Sequence, residues 1–185
     1  MQLIGIAGAA GSGKDEIAGY LETQHGFEVL SFAAPLKAGL LAMLGAVGMT
    51  LDHFGARGLR EEPLPALGKS PRELIQTLGT EWGRGLVGAD VWVRVAAARV
   101  ARLREAGPVL ALAFSDVRFP NEQRWIRDFG GQVWLVQRPR RAPVRPHVSE
   151  HSIDPHLVDR WILNDADVAQ LHRRVDELLA SGAPR

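Results

Sequence analysis

Eight residues near the N-terminus, Gly8-Ala9-Ala10-Gly11-Ser12-Gly13-Lys14-Asp15, have the types and spacing to hold a polyphosphate. They follow the apolar run Leu3-Ile4-Gly5-Ile6-Ala7 and precede a segment in which Ile17, Ala18 and Leu21 recur at helical spacing. A strand, a G-x-x-x-x-G-K loop and a helix, in that order, make a phosphate-binding P-loop. Its chemistry is electrostatic. Glycines let successive N–H groups turn inward, the helix N-terminus adds the positive end of its dipole, and Lys14 supplies a mobile charge for the outer phosphates. Lysine is scarce in this arginine-rich chain, with only Lys37 and Lys69 besides. The candidate phosphate contacts are Gly8, Ala10, Gly11, Ser12, Gly13, Lys14, Asp15 and Glu16.

Asp15 stands where Ser or Thr usually meets magnesium. A carboxylate among phosphates is repulsive unless a cation lies between them, so Asp15 reads as a direct or outer-sphere Mg2+ partner. The simpler alternative is that it stabilises the helix N-terminus. A second carboxylate, Asp116, closes the near-continuous apolar run Val109–Phe114 and its Ser115. Such a run suits a strand buried on both faces of a parallel sheet, and its end is the Walker B position, a metal-side carboxylate. A turn aspartate is the alternative there.

These groups need a scaffold. Helix one is expected from Lys14 to Gln24 with Gly26 as left-handed cap, then a strand over Phe27–Phe32. Pro35 opens an amphipathic helix with Leu36, Leu40, Leu41 and Leu44, broken near Gly48. Thr50 to Lys69 is patternless. Ser70-Pro71-Arg72-Glu73 carries a cap, a first-turn proline and a capping box. In the helix it opens, Leu74, Ile75, Leu78 and Trp82 share a core-facing side, while Arg72 and Gln76 share another, functional or merely solvated. Asp90 starts a helix with Val91, Val95, Ala98 and Leu103 inward, and Pro120 one with Trp125, Ile126 and Phe129. Gln132–Val136 and Trp161–Leu163 complete the strands, and Asp167 caps a last helix with Val168, Leu171, Val175, Leu178 and Leu179. Strands alternating with helices imply an α/β fold, a parallel sheet covered on both faces.

Composition narrows the classes. At 185 residues the chain suits one domain, and its net charge of +1 offers no field for nucleic acid or membrane. There is no cysteine, hence no disulfide or thiolate metal site. The glycine loop interrupts the first apolar run, so no signal peptide is expected, and no segment approaches the ~20 apolar residues of a membrane span. His147-Val148-Ser149-Glu150-His151 fits an H-x-x-E-H zinc motif. Pro146 argues against the helix that motif needs, and no third ligand follows. The arginines of Arg138-Pro139-Arg140-Arg141-Ala142-Pro143-Val144-Arg145 lack the interleaved aromatics of a nucleic-acid patch. They suit a lid over a triphosphate, or a plain solvated loop.

Together these segments resemble the phage-type deoxynucleoside monophosphate kinases across nearly the whole chain. The resemblance rests on the loop ending in Lys14-Asp15, on Phe32–Lys37, Ser70–Gln76, Leu78–Glu81, Gly88–Val93, Ser115–Glu122, His147–Glu150 and Ile162–Asp165. It departs at Ala34, where an aspartate is common, whereas Asp15 is familiar in that family. The resemblance implies a three-layer P-loop kinase fold with five parallel strands, a helical acceptor-binding region over residues 33–105 and an arginine-rich lid over 138–152. It implies Mg2+ and ATP as donor, with a deoxynucleoside 5′-monophosphate as acceptor. Lys14, Arg72, Arg118, Arg138 and Arg141 are then the catalytic candidates. Phe32, Lys37, Arg72, Gln76, Arg84, Asp90, Trp92, Asp116 and Arg118 are the acceptor-site candidates, Asn164 an ATP-base contact, and Asp15 and Asp116 the metal-side carboxylates. A cytoplasmic enzyme is expected (host cytoplasm if phage-encoded), and a homodimer stays open. The rivals are another small-molecule P-loop kinase, such as one acting on dephospho-coenzyme A, and a non-catalytic nucleotide-binding module.

Lys14→Ala should lower turnover by several orders of magnitude, because it removes charge stabilisation made mainly in the transition state. Steady-state kinetics check this, and near-normal turnover would mean the loop is misread.

Overall fold

β1 (Gln2–Ala7) is buried from Leu3 to Ala7 and is hydrogen-bonded on both sides, to β3 (Ala111–Val117) and to β4 (Gln132–Gln137). The computed structural model describes residues 1–55, 57–139 and 153–182. β2 (Glu28–Leu30) flanks β3 and β5 (Arg160–Leu163) flanks β4, giving a five-stranded parallel sheet in the order β2-β3-β1-β4-β5. The apolar runs of β1 and β3 are what a sheet covered on both faces requires. The second strand is shorter than Phe27–Phe32, since at the sheet edge its pairing with Leu112–Phe114 alone defines it. β3 starts at Ala111, opposite Gln2, and runs one residue past Asp116; Leu110, expected inside, is exposed.

The chain divides into two units, one built from residues 1–31 and from 100 onward, the other from Phe32–Arg99. In the first, α1 (Lys14–His25) ends at left-handed Gly26, and α8 (Val168–Ala180) begins at Asp167, whose carboxylate accepts from the Gln170 N–H at 2.7 Å. Ile17 and Leu21 of α1 pack with Leu171 and Val175 of α8 around Ile4, Ile6 and Trp134. Val168, expected on the inner face, is exposed. Polar contacts stitch the same two helices together. The Tyr20 ring stacks on His172 at 3.8 Å, and its hydroxyl and the His25 imidazole both meet Asp176. Burial and that carboxylate push the Tyr20 phenol up. α7 (Pro120–Asp128) buries Trp125 and Ile126, while Phe129 lies largely outside. Among the described residues no helix is long and apolar enough to cross a membrane.

The second unit holds α2 (Ala34–Leu44), a 3-10 turn (Gly45–Val47), α3 (Asp52–Gly55), α4 (Arg57–Glu61), α5 (Pro71–Gln76) and the first turns of α6 (Val91–Ala106). Leu40, Met49 and Leu64 form its core with Leu74, Ile75 and Leu78. The capping box is present: Ser70 Oγ accepts from the Glu73 N–H at 3.3 Å, and Glu73 Oε2 accepts from the Ser70 N–H at 2.8 Å.

Beyond Gln76 the helix changes type. Thr77–Val87 is a π-helix, closed by the Gly88 N–H donating to the Gly83 carbonyl five residues back. The wider turn carries Trp82 off the face that ordinary helical spacing assigns it, leaving it 47% exposed beside exposed Leu86 and Val87. Trp92, in contrast, is buried, at 8% exposure. Its N–H donates to the Gly79 carbonyl at 2.8 Å, and its ring lies so close to Gly83 that an added Cβ would stand 2.5 Å from it. The face of α6 is also shifted. Trp92, Val93, Ala96 and Val100 are buried, whereas Ala98 is exposed and Val91, Val95 and Leu103 are half-buried. In an alanine- and valine-rich helix, several stripes satisfy the same spacing.

Hydrogen bonds from the Ser70 N–H and hydroxyl hold the Glu73 carboxyl below its ordinary range. A group with a depressed folded pKa contributes stability above the unfolded pKa and loses it as pH falls through the folded one. Glu73→Gln should therefore lower Tm near neutral pH, and its difference from wild type should shrink below the ordinary glutamate range; thermal melts against pH check this.

Candidate active site

The loop between β1 and α1 turns on three glycines with positive φ, Gly8 at 141°, Gly11 at 71° and Gly13 at 110°. The Ser12 N–H donates to the Ala9 carbonyl at 3.1 Å, and Lys14 Nζ folds back onto the same carbonyl at 2.8 Å. The loop thus has the curled backbone and returning ammonium that a polyphosphate cradle needs. Ala10 and Asp15 are exposed, Asp15 in the first turn of α1. Glu16 is exposed as well and pairs with His172 Nε2 on α8 at 2.8 Å.

Ser12 is buried at 3% exposure, and its hydroxyl has no hydrogen-bond partner among the described residues. Its carbonyl accepts from Asn164 Nδ2 at 2.7 Å. Asn164, expected at the donor's base, is 7% exposed and lies against the loop's backbone.

Asp116 reaches the same edge of the sheet because β3 lies beside β1. Ala7 is opposite Val117, so Asp116 stands level with the strand end from which the loop departs. Ligands in open α/β sheets bind at the carboxyl ends of the strands, where strand order reverses. Asp116 Oδ2 accepts from the Ser31 hydroxyl at 2.7 Å, which tethers it to the end of β2. Arg118 follows, half-buried, on a turn that Glu122 holds: Glu122 Oε2 accepts from the N–H groups of Arg118 at 2.7 Å and Phe119 at 3.1 Å. Glu122 is 3% exposed. Sequence reasoning gave it no role, although its place three residues into a proline-initiated helix is where a carboxylate reaches back to free N–H groups. Arg138 is exposed just beyond β4, which pairs with β1 on its other side. Arg141 and the rest of the expected lid after Pro139, the H-x-x-E-H motif included, lie outside the described residues.

The remaining candidates belong to the second unit. Phe32 is buried. Lys37 Nζ lies 5.9 Å from the centre of the Phe54 ring, a cation–π contact. Arg72, with 19% of its side chain exposed, pairs with Glu61 at 2.8 Å. Gln76 is half-buried, one turn of α5 further on. Arg84 donates to the Ala89 carbonyl at 3.0 Å, tying the end of the π-helix to the turn that carries Asp90. Asp90 is exposed, and its carbonyl takes the Arg94 N–H in the first turn of α6.

The family model described as deoxynucleotide monophosphate kinase matches residues 68–175. A putative deoxynucleotide monophosphate kinase of Acanthamoeba polyphaga mimivirus is 31% identical over 160 residues, which take in 81% of this chain and 81% of that protein. A deoxynucleoside-5′-monophosphate kinase of Escherichia phage T5 is 38% identical over 115 residues, covering 58% of this chain and 44% of that one. Among solved structures, dephospho-CoA kinase from Campylobacter jejuni superposes with a TM-score of 0.52 at 12% identity, over 99% of this chain and 98% of that one. At that identity the likeness is one of fold.

Glu122→Ala removes the acceptor of two backbone N–H groups and should cost about 1–3 kcal/mol of stability. Glu122→Gln, whose amide oxygen can still accept, should cost less; urea unfolding of both variants checks the order.

Proposed function

The chain belongs to the deoxynucleotide monophosphate kinase family, and on that premise we propose that it transfers the γ-phosphoryl group of ATP to a deoxynucleoside 5′-monophosphate, releasing ADP and the diphosphate. The observation that carries this reading is a P-loop with Lys14 curled over its backbone, and the Asp116 carboxylate level with it on the adjoining strand.

The acceptor is already an ionised phosphate oxygen, so the reaction needs no strong general base. It needs alignment and neutralised charge. Lys14 and the N–H groups of residues 8–16 take the donor phosphates. Arg72 and Arg118 bind the acceptor phosphate, because a guanidinium fork matches two phosphate oxygens. For Arg72 this means giving up Glu61, an exchange of one anion for a more highly charged one. Arg138 and Arg141 bring charge to the transferring group. Phe32, Lys37, Gln76, Arg84 and Asp90 serve the acceptor side, and Trp92 serves it by propping the π-helix with its buried indole.

Mg2+ fits the donor set. Nucleotide-bound magnesium takes one or two carboxylates and completes its shell with phosphate oxygens and water. Asp116 and Asp15 are hard oxygen donors beside the loop, and these two would hold it. Bound there, the ion neutralises phosphate charge. ATP and deoxynucleotides are cytoplasmic solutes, and the cytoplasm is where we place the enzyme.

The test is ADP formation from ATP-Mg with a panel of deoxy- and ribonucleoside monophosphates, with dephospho-coenzyme A included. ADP release dependent on a deoxynucleotide is expected. Release with dephospho-coenzyme A alone, or without any acceptor, would overturn the reading in favour of its rivals. Within that assay Arg72→Ala should weaken acceptor use about 10- to 150-fold, the loss of ~1.5–3 kcal/mol from a hydrogen bond to a charged group. Its KM for ATP should stay near wild type; the opposite pattern would put Arg72 on the donor side.

A further inference from the structure

Asn164 stands at the end of β5 beside the backbone of the P-loop. It leaves β5 with its own N–H donating to the Gln137 carbonyl at the end of β4, at 2.7 Å. Its side-chain amide crosses to the P-loop and donates to the Ser12 carbonyl, also at 2.7 Å. The neighbouring residues are fastened from behind, since Arg174 of α8 donates to the Leu163 carbonyl and, at 2.8 Å, to Asp165. Gly13 completes the arrangement. It lies in the left-handed region at φ 110°, and a Cβ there would run into Asn164 Nδ2. The close approach of amide and loop is therefore built from both sides.

A peptide unit is planar and trans, so its C=O and N–H point in opposite directions. Whatever holds the Ser12 carbonyl also aims the Gly13 N–H. We propose that Asn164 is a positioning residue for the phosphoryl donor: by holding the Ser12–Gly13 peptide by its carbonyl, it turns the Gly13 N–H toward the phosphates. This rests on the kinase reading for the identity of the donor, but its physical content is the shape of the loop. A phosphate cradle works by preorganised N–H dipoles, and one peptide flipped outward replaces a donor with a repelling oxygen. In the folded protein Asn164 acts on the triphosphate through Ser12, and contact with the donor's base falls to other residues.

Asn164→Asp and Asn164→Ala separate the hydrogen bond from the volume. The aspartate keeps the shape and sets an oxygen against the Ser12 carbonyl; the alanine merely removes the donor. Calorimetric binding of ATP-Mg and of inorganic tripolyphosphate-Mg is compared across wild type and both variants, alongside KM for the acceptor. The expected result is a loss of about five- to a hundred-fold for ATP and for tripolyphosphate alike. It should be larger in Asn164→Asp than in Asn164→Ala, with the acceptor KM near wild type. A loss confined to ATP would return Asn164 to the base and overturn the proposal. So would a milder effect of aspartate than of alanine, the order expected of a space-filling role. Should Asn164→Asp fail to fold, Asn164→Ala decides: weakened tripolyphosphate binding supports the proposal and unchanged binding overturns it. Wild type that binds ATP without phosphorylating any deoxynucleotide would sink the functional reading alone, and the order of the two variants would still decide the role of Asn164.

Discussion

A strand in a dry core must satisfy every backbone N–H and C=O by pairing, and β1 meets that demand with a parallel neighbour on each side. The geometry around the phosphate loop follows from this. Parallel pairing makes all strands leave the sheet at one edge, so whatever each carries at its carboxyl end arrives together. For β1 that is the glycine loop, for β3 Asp116 and Arg118, for β4 Arg138 and for β5 Asn164. Apart from Asp116 and Arg118, which share one strand end, none of these is near another in sequence. The sheet's hydrogen-bond register, with Ala7 opposite Val117 and opposite Leu135, is the ruler that aligns them.

The buried polar side chains are arranged around the same need. Ser70, Glu122, Gln123 and Asn164 are each nearly inaccessible, and each is hydrogen-bonded to backbone. Ser70 starts α5 and so sets where Arg72 leaves the helix. Glu122 holds the turn of Arg118. Gln123 exchanges two hydrogen bonds with Asp154, pinning the chain where it returns toward β5. Asn164 holds the loop itself. A buried polar group without a partner is costly, so these side chains specify one backbone path and penalise others. The interior polar groups thus do for irregular segments what the ladder does for strands.

How much of this could be read from the sequence depends on how local the signal is. The P-loop, the capping box at Ser70–Glu73, the left-handed Gly26 and the cap at Asp167 all declare themselves within a few residues, and the structure has them. The parallel sheet was legible from the alternation of apolar runs and helical segments. The π-helix was not, because nothing in Thr77–Val87 announces a change of turn. Extending ordinary helical spacing from Leu74 and Ile75 placed Trp82 inside. It is instead Trp92 that is buried there, its ring filling the space a side chain at Gly83, nine residues earlier, would need. The shifted face of α6 has the same origin, for Val91, Val93, Val95 and Ala96 are apolar enough that packing, not pattern, chooses among them. Asn164 reads from the sequence as an ATP-base contact, and in the structure its amide lies on the Ser12 carbonyl. Its partner, a backbone carbonyl 152 positions away, leaves no mark in any sequence.

That long separation has a consequence for how the chain becomes active. β1 emerges early, yet its partners begin at Ala111 and Gln132, and the amide that braces its loop comes later still. Contacts of such sequence distance are slow to form, because much chain must be ordered before they are made. The glycine loop therefore takes the form described here only once the last strand is in place, because its Ser12 carbonyl is held from the end of β5. Any ligand that binds the finished state and not its precursors draws the population toward completed molecules by mass action. A donor nucleotide bound in the loop would in this way also favour correct folding.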